Sequence, residues 1–177
     1  MPNEGRKSNS VDNGECSEGS AFLAEALLNF VVDPTAKTPS AFVRGNEIVE
    51  VTSEVLRHLQ VIARDGGETS RVCFHKAVGS QSNFMLIAYA KDAASRVKRH
   101  LSRNKTYVLV RGNLNVETYS EDGQLIEVFE LSLEATRILF VPAGNFHRTY
   151  AVSGDTIVAE YLDGAFVGES ADREYLT

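Results

Sequence analysis

The residues of this chain whose types and spacing could do chemistry stand in two places. One is the run Val97-Lys98-Arg99-His100-Leu101-Ser102-Arg103-Asn104-Lys105-Thr106-Tyr107, and the other is Pro142-Ala143-Gly144-Asn145-Phe146-His147. In an extended segment alternate side chains share a face, so Lys98 and His100 point the same way. An imidazole such as His100 or His147 ligates a metal or moves a proton near neutral pH. A protonated lysine has no lone pair to give and repels a divalent cation. Six cationic residues, Arg96, Lys98, Arg99, Arg103, Lys105 and Arg111, fall within residues 96–111, and no acidic residue stands among them. If Lys98, Lys105 and His100 converge, they form a site for a phosphate or a carboxylate. Tyr107, Tyr150 and Tyr161 would add an aromatic wall with hydroxyl handles. The competing reading is structural: each lysine pairs with Glu117, Glu130 or Glu160 in a salt bridge.

Elements must hold these groups in place. From Arg71 onward the apolar pattern has a period of two. Nine short β-rich runs follow: 71–75, 84–90, 95–100, 106–110, 113–119, 125–131, 137–141, 147–152 and 156–162. Turn signals separate them, among them Gly112-Asn113, Asp122-Gly123 and Ser153-Gly154-Asp155. Closely spaced strands with no helical stretch between them predict an antiparallel sandwich or barrel. Ahead of the strands, Val55, Leu56, Leu59, Ile62 and Ala63 recur at helical spacing, with Thr52 or Ser53 as N-cap and Gly66-Gly67 as the stop. A first helix is expected over 21–30, ended by Asp33-Pro34 and followed by a linker over 33–40. Residues 1–20 are polar and expected to be disordered or loosely ordered. The domain reading is a tail over 1–20, a helical segment over 21–66, a β-barrel over 71–166 and a polar surface tail over 167–177.

Bulk properties narrow the partners. The chain has 177 residues, 43% hydrophobic and 24% charged, as expected of a globular domain with a sizeable core. A formal net charge of −6 argues against general nucleic-acid binding. No apolar run approaches a membrane span and the N-terminus lacks the apolar core of a signal peptide, so a cytoplasmic protein without membrane contact is expected. Cys16 and Cys73, far apart and outside any CxxC, indicate neither a disulfide framework nor a thiolate zinc site.

The spacing of the two chemical stretches resembles the cupin superfamily. Its first motif reads His-x-His, three or four residues, Glu, six residues, Gly; here Lys98-x-His100 is followed by Lys105 and then Gly112. Its second motif, Pro-x-Gly-x-x-His, is matched in full by Pro142, Gly144 and His147. Within the superfamily the chain is similar to the WbuC family over about residues 46–166, in the helix 54–63, Arg71-x-x-x-His75, Met85-Leu86-Ile87-Ala88, Lys105-Thr106-Tyr107-Val108 and Ala159-Glu160-Tyr161-x-Asp163-Gly164.

The resemblance implies a mainly β protein: a single cupin jelly-roll antiparallel β-barrel with N-terminal helices, pairing as a homodimer. In members with the full motif, three histidines and a glutamate bind one divalent metal. Here lysines replace the first histidine and the glutamate, leaving His100 and His147, with His75 and Glu160 as possible substitutes. No cofactor is therefore expected; the alternative is a divalent metal (Zn, Fe, Mn or Ni) on His100 and His147, in a metal-dependent isomerase or dioxygenase. The preferred reading is a small anionic ligand, a sugar phosphate or nucleotide sugar, bound by Lys98, Lys105, Tyr107 and Glu160 and linked to surface-polysaccharide metabolism. In an enzyme of that kind His147 or His100 would be the general base and a tyrosine the general acid. A non-catalytic binding or assembly module is the third reading.

Overall fold

The computed structural model describes residues 29–46, 48–77 and 79–176. Among these residues, twelve strands form two sheets. The seven-stranded sheet runs in the order β1 (Phe30–Val32), β2 (Ser40–Val43), β3 (Thr69–Cys73), β4 (Ser82–Tyr89), β11 (Ile157–Asp163), β6 (Lys105–Arg111), β9 (Ile138–Val141). The five-stranded sheet runs β12 (Arg173–Tyr175), β5 (Lys98–His100), β10 (Phe146–Ala151), β7 (Leu114–Tyr119), β8 (Leu125–Leu131). The strand pattern predicts an antiparallel sandwich or barrel and the resemblance implies a jelly-roll; the structure is a mainly β jelly-roll, and all nine expected strands are present. Pairing is antiparallel except between β2 and β3. Those two are parallel because helix α1 (Ser53–Gly66) carries the chain across between them.

Two apolar layers sandwich the larger sheet. Strand alternation sends Met85, Ile87 and Tyr89 of β4 into the barrel, with Tyr107, Leu109, Val158 and Leu162. The intervening Leu86 and Ala88 face the other way, against Leu59 and Ala63 of α1. Complete burial of Leu59 contributes roughly 1.5–3 kcal/mol. Thr52 caps α1, accepting from the Val55 amide at 3.4 Å. Gly67 ends it in the left-handed region at φ 66°. Gly112 is fixed by space as well as by φ: a Cβ there would lie 2.7 Å from the Thr156 backbone.

Two expectations are corrected. The helix placed over 21–30 lies outside the described residues up to Leu28, but its last residue, Phe30, begins β1. The supposed linker is the turn of a β1–β2 hairpin, in which Asp33 accepts from the Thr35 amide at 2.9 Å and hydroxyl at 2.7 Å. Helical spacing reaches Phe30, but Val31 and Val32 favour extended backbone, as does Asp33 ahead of Pro34. The polar tail also folds as structure. A short helix α2 (Glu169–Asp172) leads into β12, which pairs with β5, and Asp172 is 1% exposed. Its polarity reads as solvent-facing only until its buried partners are known. Among the described residues no helix is long and apolar enough to cross a membrane.

Candidate functional site

The inward faces of β3, β5, β6, β10 and β11 carry the polar groups. On β5 the inward residues are Lys98 and His100, while Arg99 turns outward to Glu121 and Glu174. On β6 they are Lys105 and Tyr107, on β10 His147 and Thr149, and on β11 Glu160, in phase with the core residues Val158 and Leu162. The two sequence stretches are tied together directly. Asn104 accepts from the Ala143 amide at 3.0 Å, and the Gly144 amide donates to the His100 carbonyl at 2.8 Å. Asn104 also donates to both carboxylate oxygens of Asp163, at 2.6 and 2.8 Å.

A cavity of about 380 Å³ opens among these strands, and Lys98, Lys105, Tyr107 and Glu160 are among the residues that line it. Lys105 reaches Glu160 at 3.2 Å, and both side chains are buried. Burial opposes the charge on Glu160, but Lys105 and Lys98 outweigh it and hold the carboxyl below its ordinary range. Burial, and then the neighbouring Lys105 charge, bring the Lys98 ammonium down to about 7. Burial pushes the Tyr107 phenol up, so it remains a hydrogen-bond donor.

The histidines sit elsewhere. His100 and His147 are each 2% exposed, their rings 6.0 Å apart, and neither lines the cavity. His147 Nδ1 donates to the Asn145 carbonyl at 2.9 Å, and His100 Nδ1 to Asp172 at 3.1 Å. Both Nε2 atoms are buried without a hydrogen-bond partner among the described residues. Burial, followed by the Lys105 charge, pushes His100 down to about 2 and His147 to about 3, so both rings are neutral. Asp172 also takes a bidentate pair from the buried Arg103, Nε at 2.5 Å and a terminal nitrogen at 2.7 Å. A buried carboxylate thus orients one imidazole, but that imidazole lies outside the open space.

The donor set does not fit a metal centre. Two neutral imidazoles are present, but the nearby Lys98 and Lys105 bring cationic groups that oppose a metal ion, and Glu160 is bound to Lys105. Among the described residues no group of three histidines, cysteines or carboxylates could hold an ion. His75 does not join the other two: it lines a second cavity of about 430 Å³, its Nδ1 donating to the Phe84 carbonyl at 3.2 Å. Arg71, Glu160, Arg173 and Thr38 line both cavities.

The basic run of residues 96–111 does not act as one patch. Arg96 is exposed over the Tyr175 ring at 4.2 Å, Arg103 is taken up by Asp172, and Arg111 is exposed. Lys98 and Lys105 alone of the six enter the cavity. Its other cations, Arg71 and Arg173, come from the third and the last strands. The aromatic wall is likewise Tyr107 and Tyr89, whereas Tyr150 bonds Asp92 and Tyr161 is exposed. Arg71 had a signal in the sequence, since period two places it in phase with the core residue Cys73 on the barrel face. Arg173 and Asp172 had none, because only tertiary pairing brings the tail to β5.

No protein-family model matches the chain, and no curated protein does. Solved structures do. CapF in complex with 3-isopropenyl-tropolone aligns with a TM-score of 0.53 and 14% identity, over 62% of this chain and 32% of that one. CapF from Staphylococcus aureus, described as a capsular polysaccharide assembling protein, aligns with a TM-score of 0.52 and 14% identity, over 60% and 30%. The chain therefore spans about a third of the length of these proteins. At such identities the likeness is one of fold, and it agrees with the jelly-roll that the two sheets of this chain form.

Proposed function

We propose that the barrel binds a small anionic ligand, a sugar phosphate or nucleotide sugar, between Lys98, Lys105, Arg71 and Arg173. One observation carries this reading: four cationic side chains line a single cavity against two carboxylates, Glu160 and the exposed Glu68, in a chain that is acidic overall. Lys105 has its counter-ion within the protein, whereas Lys98 makes no ion pair among the described residues. An anionic ligand would supply the missing charge and be held by charge-assisted hydrogen bonds. A cavity of about 380 Å³ is within the roughly 300–1,000 Å³ typical of small-molecule sites. A second cavity, which shares Arg71 and Arg173 in its lining, adjoins the first.

The carbohydrate class draws support from the fold neighbour's role in capsular polysaccharide assembly and from the WbuC-like stretches. On the same grounds we propose a homodimer in surface-polysaccharide metabolism, with WbuC-like proteins as its kin, and we further propose a cytoplasmic setting. Calorimetry with inorganic phosphate, hexose phosphates and nucleotide sugars tests the reading. Saturable binding that weakens with salt is expected, with affinity reduced at least about tenfold in Arg71→Met, the loss of one charged hydrogen bond. Failure of every such anion to bind, or full affinity in Arg71→Met, overturns it.

A further inference from the structure

The cavity holds two lysines in unlike states. Lys105 is locked to Glu160 at 3.2 Å and lies over the Tyr107 ring. Lys98 enters the same space from β5 and makes no hydrogen bond or ion pair among the described residues. Its amino nitrogen is not among the buried polar atoms that lack a partner, so it is open to the cavity rather than sealed in the wall. Ile87, Tyr89, Ala93 and Tyr107 make part of that wall apolar. An unpaired amine, partly desolvated and beside a fixed ammonium, has the environment that makes a lysine a nucleophile.

We propose that Lys98 is a carbonyl-reactive amine that condenses with the aldehyde or ketone group of a small anionic molecule held in the cavity. The substrate class rests on the anion-binding reading; the amine chemistry does not. The Nζ lone pair attacks the carbonyl carbon and gives a carbinolamine. The two amine protons leave with the former carbonyl oxygen as water, and a C=N bond forms. No oxidant or reductant takes part, and water reverses the step. Arg71 and Arg173, which line the same cavity, would hold the anionic end. The charged groups acting on Lys98 are Lys105, Glu160, Arg173 and Arg71. Their combined effect with burial places the amine near 7, so about half is neutral at that pH, against roughly one in 2,500 for an ordinary lysine.

The test traps the imine on the full chain at neutral pH. Protein is incubated with cyanoborohydride and either glyoxylate, an anionic aldehyde, or acetaldehyde, a neutral one, and adducts are mapped by peptide mass spectrometry. Both aldehydes are expected to label Lys98 at least about tenfold faster than the exposed Lys37, Lys76 and Lys91, as its larger neutral fraction requires. Lys98→Arg, which keeps the charge, is expected to lose that adduct while retaining the native thermal transition. Glyoxylate should react faster than acetaldehyde, and excess phosphate should slow glyoxylate alone. Labelling spread over the exposed lysines with Lys98 unmodified overturns the proposal. Rapid labelling of Lys98 by both aldehydes, without glyoxylate advantage or phosphate competition, supports the amine chemistry and overturns the anion reading.

Discussion

Lys98 and Lys105 carry the same kind of charge in different company: burial draws both ammonium groups down, and Lys105 has Glu160 directly against it. For Lys98 the unfolded chain holds its proton up to about pH 10.4, whereas the folded chain releases it near 7. Between those values the unfolded state binds more protons, so this residue's contribution makes stability rise with pH through that window. Its cost is present in full below 7. Lys98→Met should therefore stabilise the fold at neutral pH by on the order of 1–2 kcal/mol once partial exposure is discounted, read as a raised thermal midpoint, and the gain should fade toward pH 10. Anion affinity moves the opposite way. A protonated Lys98 attracts the ligand, so above about 7 binding must draw a proton from solution and affinity falls by up to about tenfold per pH unit. Sulfate, which does not itself titrate here, is the probe: calorimetry from about pH 6 to about pH 8.5 should show the fall in the wild type and a flat profile in Lys98→Met. A wild-type profile as flat as the variant's would remove Lys98 from the site.

At the scale of elements, the C-terminal segment closes the structure. Asp172 at the end of α2 binds Arg103 and His100, and β12 lies along β5. Asp172→Ala would leave the Arg103 guanidinium buried without its carboxylate, a loss of about 3–5 kcal/mol. Denaturant unfolding should show that loss, and hydrogen exchange should show β12 and β5 opening together; a change under about 1 kcal/mol would mean that Arg103 finds another partner. This element also marks the limit of what the sequence makes legible. The nine barrel strands announce themselves because alternation with apolar inward faces is a local pattern, and the turn at Gly112 is a local demand. Lys105, Tyr107 and Glu160 line one cavity because each is in phase with core residues on its own strand, and Lys98 joins them in phase with the buried His100. The β1–β2 hairpin was hidden by a helical spacing that continues to Phe30. Asp172 and Arg173 were hidden because a polar tail looks the same whether it faces water or a buried arginine. The six-cation cluster misled for the converse reason: adjacency in sequence on a strand splits residues between two faces, so Arg99 leaves the cavity while Lys98 and His100 stay on its side.

For the molecule as a whole, the exposed edges carry the last unassigned feature. β9 ends the seven-stranded sheet with Ile138 63% and Phe140 57% exposed, and β8 ends the other sheet with Ile126 65% exposed. Alternation explains the pattern on β9: Val141 faces the core, so Ile138 and Phe140 face out. Open edges with large apolar side chains template further pairing unless something covers them. The homodimer we propose would cover this edge with a second copy, burying the β9 residues of both. Replacing Ile138 and Phe140 together by lysine places two charges on each side of such an interface, and like charges there cost several kcal/mol. The substitutions lie on the surface, so the monomer should keep its thermal transition within about 1 kcal/mol. Light scattering across a concentration series should then show a dimer for the wild type and a monomer of unchanged fold for the double variant. A wild type that stays monomeric at every concentration, or a variant that still dimerises, would place the contact elsewhere or remove it. Salt gives an independent reading, because an apolar edge contact should hold at high ionic strength while anion binding in the cavity weakens.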